Sequence, residues 1–167
     1  MRLSAQEEYG LRCLLQVAGV EGDRLVQIST IAEAEGLSSD YTAKLLRVLR
    51  QGGLVESTRG AAGGYRLARP ADQITVWEAV EVLDGHLFDE GFCQVHTGQG
   101  LTCVHSTACS IRSLWKWVGS ALEQVLDAIT LADLARGEVA VAARLARISE
   151  TEGTTGSTAA GPEQELQ

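Results

Sequence analysis

A glycine-rich connection at residues 59–63 is the feature that most constrains the fold, because it lies between two short β-prone runs. The runs cover residues 54–57 and 64–67, and the connection between them is Arg-Gly-Ala-Ala-Gly. Glycine permits the positive φ angles that a tight reversal between paired strands requires. The pattern therefore predicts a β-hairpin with the basic residue Arg59 near its tip.

Helical signals precede the hairpin. A helix is predicted from Leu3 to Ala18, a second follows with Ser29 as its N-cap and Gly36 as its turn, and a third covers residues 41–51. Two short helices joined at a glycine-containing turn form a helix-turn-helix, whose second helix reads DNA. With the hairpin as a wing, residues 1–70 are predicted to form a winged helix-turn-helix domain. The expected fold class is mainly α, with a small β-hairpin and a long dimerisation helix.

The remaining chain divides into four predicted segments. A connecting helix and loop cover residues 71–91, a cysteine-bearing loop covers 92–109, a dimerisation helix and short C-terminal helix cover 110–148, and a disordered tail covers 149–167. The long helix has apolar residues at steps of three and four, namely Ile111, Leu114, Trp115, Val118, Leu122, Val125, Leu126 and Ile129. So continuous a stripe needs a partner, and the same helix of a second chain is the simplest one, which predicts a homodimer.

The charge distribution favours a nucleic-acid partner despite a net charge of −8. Residues 1–70 carry nine basic and eight acidic side chains, whereas residues 71–167 carry five and fourteen. Within residues 39–69 the balance is six basic to two acidic. One basic stretch on an acidic protein would turn that face toward DNA phosphates.

Candidate DNA-binding residues lie on the third helix and on the wing. They are Ser38, Ser39, Tyr41, Lys44, Arg47 and Arg50 on the helix, and Arg59, Gly60, Gly63 and Gly64 on the wing. Either element alone is equally well explained as a solvated helix or a flexible loop. Their order and their place on the basic stretch together favour binding of double-stranded DNA. A dimer of such domains predicts a palindromic operator.

Compartment and enzyme class follow from what the sequence lacks. It contains no apolar run of about eighteen residues, and Glu7 and Glu8 stand where a secretory signal would be basic and apolar. We therefore expect a cytoplasmic protein with no membrane contact. No dinucleotide fingerprint or P-loop occurs, so we expect neither an enzyme nor a small-molecule substrate.

Three of the four cysteines, Cys93, Cys103 and Cys109, occur within one loop, with nine and five residues between them. In a reducing compartment such thiols are free, redox-active or bound to metal, and three thiolates suit a soft metal or an iron–sulfur cluster. The alternative is three unrelated cysteines, since this spacing matches no common zinc pattern. The residues alone leave a fourth ligand open among His96, His105 and Glu8. Cys13, in an apolar helix context, is predicted to be a core residue.

Several segments resemble the winged-helix iron–sulfur transcription regulators that include IscR, NsrR and RirA. The segments are residues 1–4, 31–38, 53–65, 74–80 and 129–134, together with Tyr41, Leu45 and Leu49, and the resemblance covers about residues 1–137. It implies a homodimer crossed by the long helix, and a cluster held by Cys93, Cys103 and Cys109. We favour [4Fe-4S] over [2Fe-2S].

Two departures from this family affect the ligand set. The gap between the first two cysteines is longer than in the best-known members, and IscR-like proteins have a histidine where this chain has Arg112, which cannot donate a lone pair to a metal. NsrR-like proteins instead use a carboxylate from the first helix of the partner, at the position matched by Glu8. The resemblance thus implies Glu8 of the partner subunit as fourth ligand, with His105 as second choice. The rival functions are a thiol-switch or zinc-holding regulator without iron, and an iron–sulfur electron carrier.

Overall fold

The computed structural model describes residues 4–20, 22, 24–60, 62–84, 97, 99–100, 102–105 and 108–155. Within these ranges the chain forms the helices α1 (Ala5–Ala18), α2 (Ile28–Glu35), α3 (Ser39–Gln51), α4 (Val76–Asp84), α5 (Ser110–Asp127), α6 (Leu131–Ala135) and α7 (Glu138–Thr155). Strands β1 (Val55–Thr58) and β2 (Gly64–Leu67) form an antiparallel hairpin, followed by a 3₁₀ turn at Ala71–Gln73. The predicted mainly α fold with a winged helix-turn-helix is confirmed. None of the described helices is long and apolar enough to cross a membrane.

Local caps explain where the first and third helices begin. Ser4 and Glu7 form a capping box at the start of α1, in which each side chain accepts the backbone N–H of the other residue. Ser38 caps α3 by accepting the amide of Tyr41 at 3.2 Å. Gly36 has φ 66°, a left-handed conformation that ends α2 and turns the chain into α3.

Two predicted boundaries differ from the structure. Helix α2 begins at Ile28, and its N-cap Gln27 makes no side-chain capping bond, so the predicted Ser29 cap is wrong. The cause is tertiary, since Val26 is held extended by a bridge to Tyr65 and the helix begins directly afterwards. Helix α7 continues to Thr155, so the predicted start of the tail at residue 149 lies inside a helix.

Helix α1 lies at the centre of the core, where it contacts α2, α3, α4 and α6. Its Cys13 and Leu14 side chains are completely buried, which confirms Cys13 as a core residue. Fully buried residues from α2, α3, α6 and the residue two positions before α4 surround them: Ile31, Leu45, Leu46, Leu49, Leu131 and Ile74. Burial of these side chains is the main stabilising term of the domain.

The wing is attached to the domain through a third extended segment. Val26 and Tyr65 exchange two backbone hydrogen bonds of 2.8 Å each, so the residue before α2 pairs with β2. Gly64 lies beside this pairing, and a Cβ there would stand 2.6 Å from the carbonyl oxygen of Val26. The absence of a side chain at Gly64 therefore allows the hairpin to approach the domain.

Candidate nucleic-acid interface and cysteine segment

The face of α3 opposite the core carries the basic residues. Leu45, Leu46 and Leu49 are buried at 0% exposure, whereas Lys44, Arg47 and Arg50 are exposed. The three basic positions are spaced by three residues, so successive side chains follow one side of the helix. Packing of the leucines therefore orients these cations outward.

A groove of about 890 Å³ connects the third helix to the wing. Its lining comprises residues of α2 and its cap, of α3 and of the hairpin: Gln27, Ile28, Ser29, Ala43, Arg47, Arg50, Ser57, Thr58, Arg59, Gly60, Gly63, Gly64 and Tyr65. Three of the predicted DNA-binding arginines thus line a single open concavity. A groove of this character presents several positive charges to one anionic ligand.

The predicted serines and Tyr41 lie at the N-terminal end of α3, outside this groove lining. The Ser38 oxygen is engaged as the cap, while Ser39 is exposed. The Tyr41 ring is half-buried and meets the edge of Tyr9, with centroids 6.1 Å apart and an interplanar angle of 82°. Tyr41 therefore packs against α1 and anchors the start of α3.

The wing glycines have a steric explanation. A Cβ on Gly63 would stand 2.3 Å from the carbonyl oxygen of Thr58, and Gly60 has φ 117°. Together with Gly64, these residues set the path of the hairpin, and Arg59 is carried on its exposed edge. The wing glycines therefore contribute to the interface by positioning the backbone of the hairpin and the side chain of Arg59.

Sequence reasoning missed the start of α2 as part of this surface. Gln27, Ile28 and Ser29 line the groove because the Val26–Tyr65 bridge brings them beside the wing. That bridge joins residues 39 positions apart, and no local pattern in residues 24–30 predicts it.

The described part of the cysteine segment contains two accessible thiols. Cys103 and Cys109 are free and half-buried, and His105 is exposed. Cys109 is the N-cap of α5, and its sulfur accepts the amide of Arg112 at 3.4 Å. Cys93 lies outside the described residues. Among the residues that are described, no three His, Cys, Asp or Glu side chains lie close enough together to hold a metal ion.

The candidate ligand Glu8 is exposed in the first turn of α1. One turn further along, Arg12 pairs with Glu35 at the end of α2 at 2.6 Å and lies over the ring of Tyr9 at 5.5 Å. The hydrogen bond to Glu35 is the largest cause of the raised pKa of Arg12, and the charge of Glu8 adds a smaller contribution. The end of α1 that carries Glu8 is thus linked to the helix-turn-helix.

The first half of the apolar stripe on helix α5 is uncovered. Ile111 and Leu114 are 62% and 54% exposed, and Trp117, which lies off the stripe, is 70% exposed. In the second half, Val118, Leu122 and Val125 are half-buried, and Leu126 packs against the cluster formed by Val76, Val80 and Ile129. Exposed apolar side chains contiguous along a helix are typical of an interface with another chain.

Comparison with known proteins agrees with this arrangement. A profile of the Rrf2 family, described as iron-dependent transcriptional regulators, matches residues 3–137. The chain belongs to the Rrf2 family.

Relatives and solved structures of Rrf2-family proteins match most of the chain. The protein rrf2 of Nitratidesulfovibrio vulgaris is 37% identical over 137 residues, which cover 81% of this chain and 88% of that protein. The structure of CymR, the global cysteine regulator of B. subtilis, matches with a TM-score of 0.65 at 32% identity, covering 81% of this chain and 97% of CymR. T. potens IscR matches with a TM-score of 0.62 at 33% identity, covering 96% of this chain and 94% of IscR.

Membership of the Rrf2 family confirms the resemblance predicted from the motifs and identifies the chain as a transcriptional regulator. The family match ends at residue 137, so α7, which begins at Glu138, lies beyond it.

Proposed function

We propose that this Rrf2-family protein is a homodimeric regulator that binds palindromic double-stranded DNA with an affinity set by an iron–sulfur cluster. In this proposal the ligands are Cys93, Cys103, Cys109 and Glu8 of the partner subunit. The observation that carries DNA binding is the groove in which Arg47 and Arg50 of α3 face Arg59 of the wing.

The exposed face of α3 and the wing contact different parts of the DNA. A recognition helix enters the major groove through the face opposite its packed leucines, where Lys44, Arg47 and Arg50 project. Arg59 on the wing edge reaches the neighbouring phosphates or the minor groove. Bidentate arginines suit both phosphate and guanine edges, so these side chains supply affinity as well as sequence choice.

Salt dependence of binding to a mixed-sequence duplex tests this surface. We expect the Arg47→Gln, Arg50→Gln, Arg59→Gln triple variant to bind at least about 100-fold more weakly, and to reduce the salt slope by about one unit for each lost phosphate contact. Arg136→Gln is the matched control, because Arg136, the C-cap residue of α6, has a 68% exposed side chain and lies outside the groove. Equal affinity and slope in both variants would overturn the assignment.

The homodimer rests on a heptad pattern that runs along α5 to its C-cap. Steps of three and four connect Ile111, Leu114, Val118, Ala121, Val125 and the C-cap Ala128. This a/d repeat is the seam of a two-helix coiled coil. The larger side chains occupy the first half of the seam and the smaller ones the second half.

In an antiparallel pair of α5 helices, the large end of one seam packs against the small end of the other. Each layer would then combine a larger and a smaller residue, as Leu114 with the partner's Val125 and Val118 with the partner's Ala121. A parallel pair would place large against large at one end and alanine against alanine at the other, leaving voids. The opposed helix dipoles also favour the antiparallel arrangement.

Analytical ultracentrifugation tests the dimer. Leu114→Glu should give monomers at concentrations where the unmodified protein is dimeric, because it buries a charge in the seam. Gln124→Glu, an exposed α5 position off the seam, is the control. For the orientation, a Leu114→Cys, Val125→Cys variant should form a 114–125 disulfide between chains, identified by mass spectrometry. A 114–114 link instead would indicate a parallel pair.

The cluster proposal is supported by the chemistry of the described donors. Cys109 lies at the N-terminus of α5, where the helix dipole stabilises a thiolate and an anionic cluster. Cys103 is free and half-buried. An iron–sulfur cluster supplies iron–thiolate bonds that respond to oxidation, nitric oxide and iron supply. Release or capture of Cys109 would change the start of the proposed dimer helix, while Glu8 would connect the same event to Arg12 and the helix-turn-helix.

Anaerobic purification with absorption spectroscopy and iron and sulfide determination tests the cluster. We expect a brown protein that becomes colourless when Cys93, Cys103 and Cys109 are replaced by alanine. Glu8→Ala should alter the spectrum or shorten the lifetime of the cluster, whereas Glu33→Ala, an exposed carboxylate on α2, should not. If Glu8→Ala is silent and His105→Ala is not, His105 is the fourth ligand.

A regulator that uses these thiols without iron is the second candidate. The observation that favours it is the match to CymR, named a global cysteine regulator. Zinc or no metal in the anaerobically purified protein, with DNA affinity that changes on thiol oxidation, would support this function over the cluster.

A further inference from the structure

A second concavity, of about 530 Å³, lies on the other side of the wing. It is lined by the end of α1, the chain that follows α1, and the base of the hairpin: Val17, Ala18, Val20, Gly22, Arg24, Glu56, Arg66, Leu67, Ala68, Arg69, Pro70 and Ala71. Side chains alternate across a strand, so Ser57 and Tyr65 face the DNA groove while their neighbours Glu56 and Arg66 face this pocket. We name it the back pocket.

The back pocket concentrates positive charge on an acidic protein. Among the described lining residues, Arg24, Arg66 and Arg69 are cationic and Glu56 is the one carboxylate, in a chain whose net charge is −8. The side chains of Arg66 and Arg69 are 44% and 41% exposed, so their guanidinium groups remain accessible from solvent. An organic anion is the ligand that this charge balance would attract.

The ion pairs of the pocket are of the kind that a ligand can displace. Arg66 pairs with Glu56 at 2.9 Å between two solvent-exposed side chains, and such pairs contribute little to stability. Arg69 pairs with one oxygen of Glu78 at 3.1 Å, while the other oxygen of Glu78 accepts the amide of Thr75 at 3.0 Å. Glu78 therefore retains a hydrogen bond when Arg69 turns toward a ligand.

The other described lining residues are apolar or glycine, although most of the accessible surface of the pocket is polar. Val17 is buried and Leu67 and Ala71 are half-buried beside the arginines. A cavity of this size falls in the usual range for small-molecule sites, in which an apolar wall and a few directed polar groups act together. The chemistry fits a small organic acid with one or two carboxylates on a short carbon skeleton.

We propose that the back pocket binds a small organic carboxylate through Arg66 and Arg69, and that its occupancy changes the DNA affinity of the adjacent wing. The regulatory part rests on the proposed DNA-binding function. Arg66 directly follows Tyr65 in the chain. Tyr65 pairs with Val26 through two backbone hydrogen bonds and also lines the DNA groove. A carboxylate that draws Arg66 away from Glu56 acts on β2 at the point where the wing is attached.

Calorimetric titration without DNA tests the site by itself. Succinate, citrate, glutamate and inorganic phosphate are titrated at constant ionic strength into the full-length protein and into an Arg66→Gln, Arg69→Gln variant. We expect a carboxylate to bind, and the variant to weaken that binding by at least about tenfold. Arg136→Gln is the matched control, because Arg136 also pairs with a carboxylate in an exposed position, at 3.1 Å from Asp133, but lies outside the pocket.

The possible results distinguish failure of the carboxylate site from failure of its regulatory effect and from failure of DNA binding. Lack of binding by every probe, equal binding in the arginine variant, or preference for phosphate over all carboxylates would overturn the carboxylate site. Saturating carboxylate should shift DNA affinity at least about threefold, and an unchanged affinity would overturn the regulatory part while the site stands. Failure to bind DNA at all would overturn the proposed function without affecting the calorimetric result.

Discussion

The amide of Leu131 donates a hydrogen bond to the carbonyl oxygen of Ile74 at 2.9 Å, and both side chains are completely buried. An equivalent bond joins Val76 to Ile129 at 2.9 Å, with Thr75 and Thr130 bridged between them. The chain that follows α5 thus returns to the winged domain and completes its core. The C-terminal end of α5 is thereby attached to the same core that positions α3, which gives the proposed dimer helix a direct mechanical connection to the DNA-binding face.

Leu131→Ala should destabilise the winged domain although residue 131 lies far from it in sequence. Removing a fully buried leucine costs about 2–5 kcal/mol through lost burial and the remaining cavity. Urea unfolding followed by circular dichroism measures this loss. Leu145→Ala, at 38% exposure on α7, should cost much less, and equal losses in the two variants would contradict the assignment of Leu131 to the core.

Gly64→Ala should weaken DNA binding without touching a charged residue. The added Cβ would meet the Val26 carbonyl at 2.6 Å, and because both groups are backbone, the hairpin must shift. We expect a stability loss of about 1–3 kcal/mol and a lower DNA affinity. Ala62→Ser, an exposed change in the same connection, serves as control, and unchanged DNA affinity of Gly64→Ala would show that wing placement does not limit binding.

Substitutions of Ser38 separate its two candidate roles. Ser38→Ala removes the cap of α3 and should cost about 1 kcal/mol, whereas Ser38→Asp retains a capping oxygen and should preserve stability. If Ser38 also faces a DNA phosphate, Ser38→Asp will lower DNA affinity through charge repulsion while Ser39→Ala changes little. Thermal unfolding and fluorescence anisotropy measure the two effects. Undiminished DNA affinity of the stable aspartate variant would limit Ser38 to capping.

Cys13 should be chemically inert in the native protein. Burial raises the pKa of its thiol from 9.0 to about 11, so it stays protonated and inaccessible, whereas Cys103 and Cys109 should react with iodoacetamide in the metal-free protein. Mass spectrometry of labelled peptides measures the relative labelling rates of the three cysteines. Labelling of Cys13 as fast as Cys103 under native conditions would contradict its burial.

The raised pKa of the Cys13 thiol makes the free energy of unfolding depend on pH in the alkaline range. The thiol of the unfolded chain ionises first, near its ordinary pKa, so rising pH favours the unfolded state between about 9 and about 11. The contribution of Cys13 is present in full below pH 9 and falls by on the order of 2 kcal/mol by pH 11. Comparison with Cys13→Ala isolates this slope, since the variant should lack the part due to the thiol.

Local signals in the sequence were sufficient for most helices and for the wing. Ser38 and Thr130 cap α3 and α6 through backbone groups within three residues, and Gly36 ends α2 in a left-handed turn, so these helix ends follow from short-range interactions. The start of α2 instead depends on the distant bridge between Val26 and Tyr65. The basic face of α3 also followed from the sequence, because burial of leucines at helical spacing leaves the residues between them outside. The three-cysteine ligand set and Glu8 remain proposals based on motif and resemblance.

Only the tertiary structure decided how distant segments meet. The sequence by itself determined a winged helix-turn-helix, its basic surface and an amphipathic long helix, because each depends on periodicity, caps and turn chemistry within a few residues. Val26 with Tyr65, and Ile74 with Leu131, are joined by backbone hydrogen bonds between segments 39 and 57 residues apart. Every residue except proline carries the same backbone donor and acceptor, so the local side-chain pattern does not specify which distant segments pair. They arise when the core closes, and they determine the groove, the back pocket and the connection of α5 to the DNA-binding face.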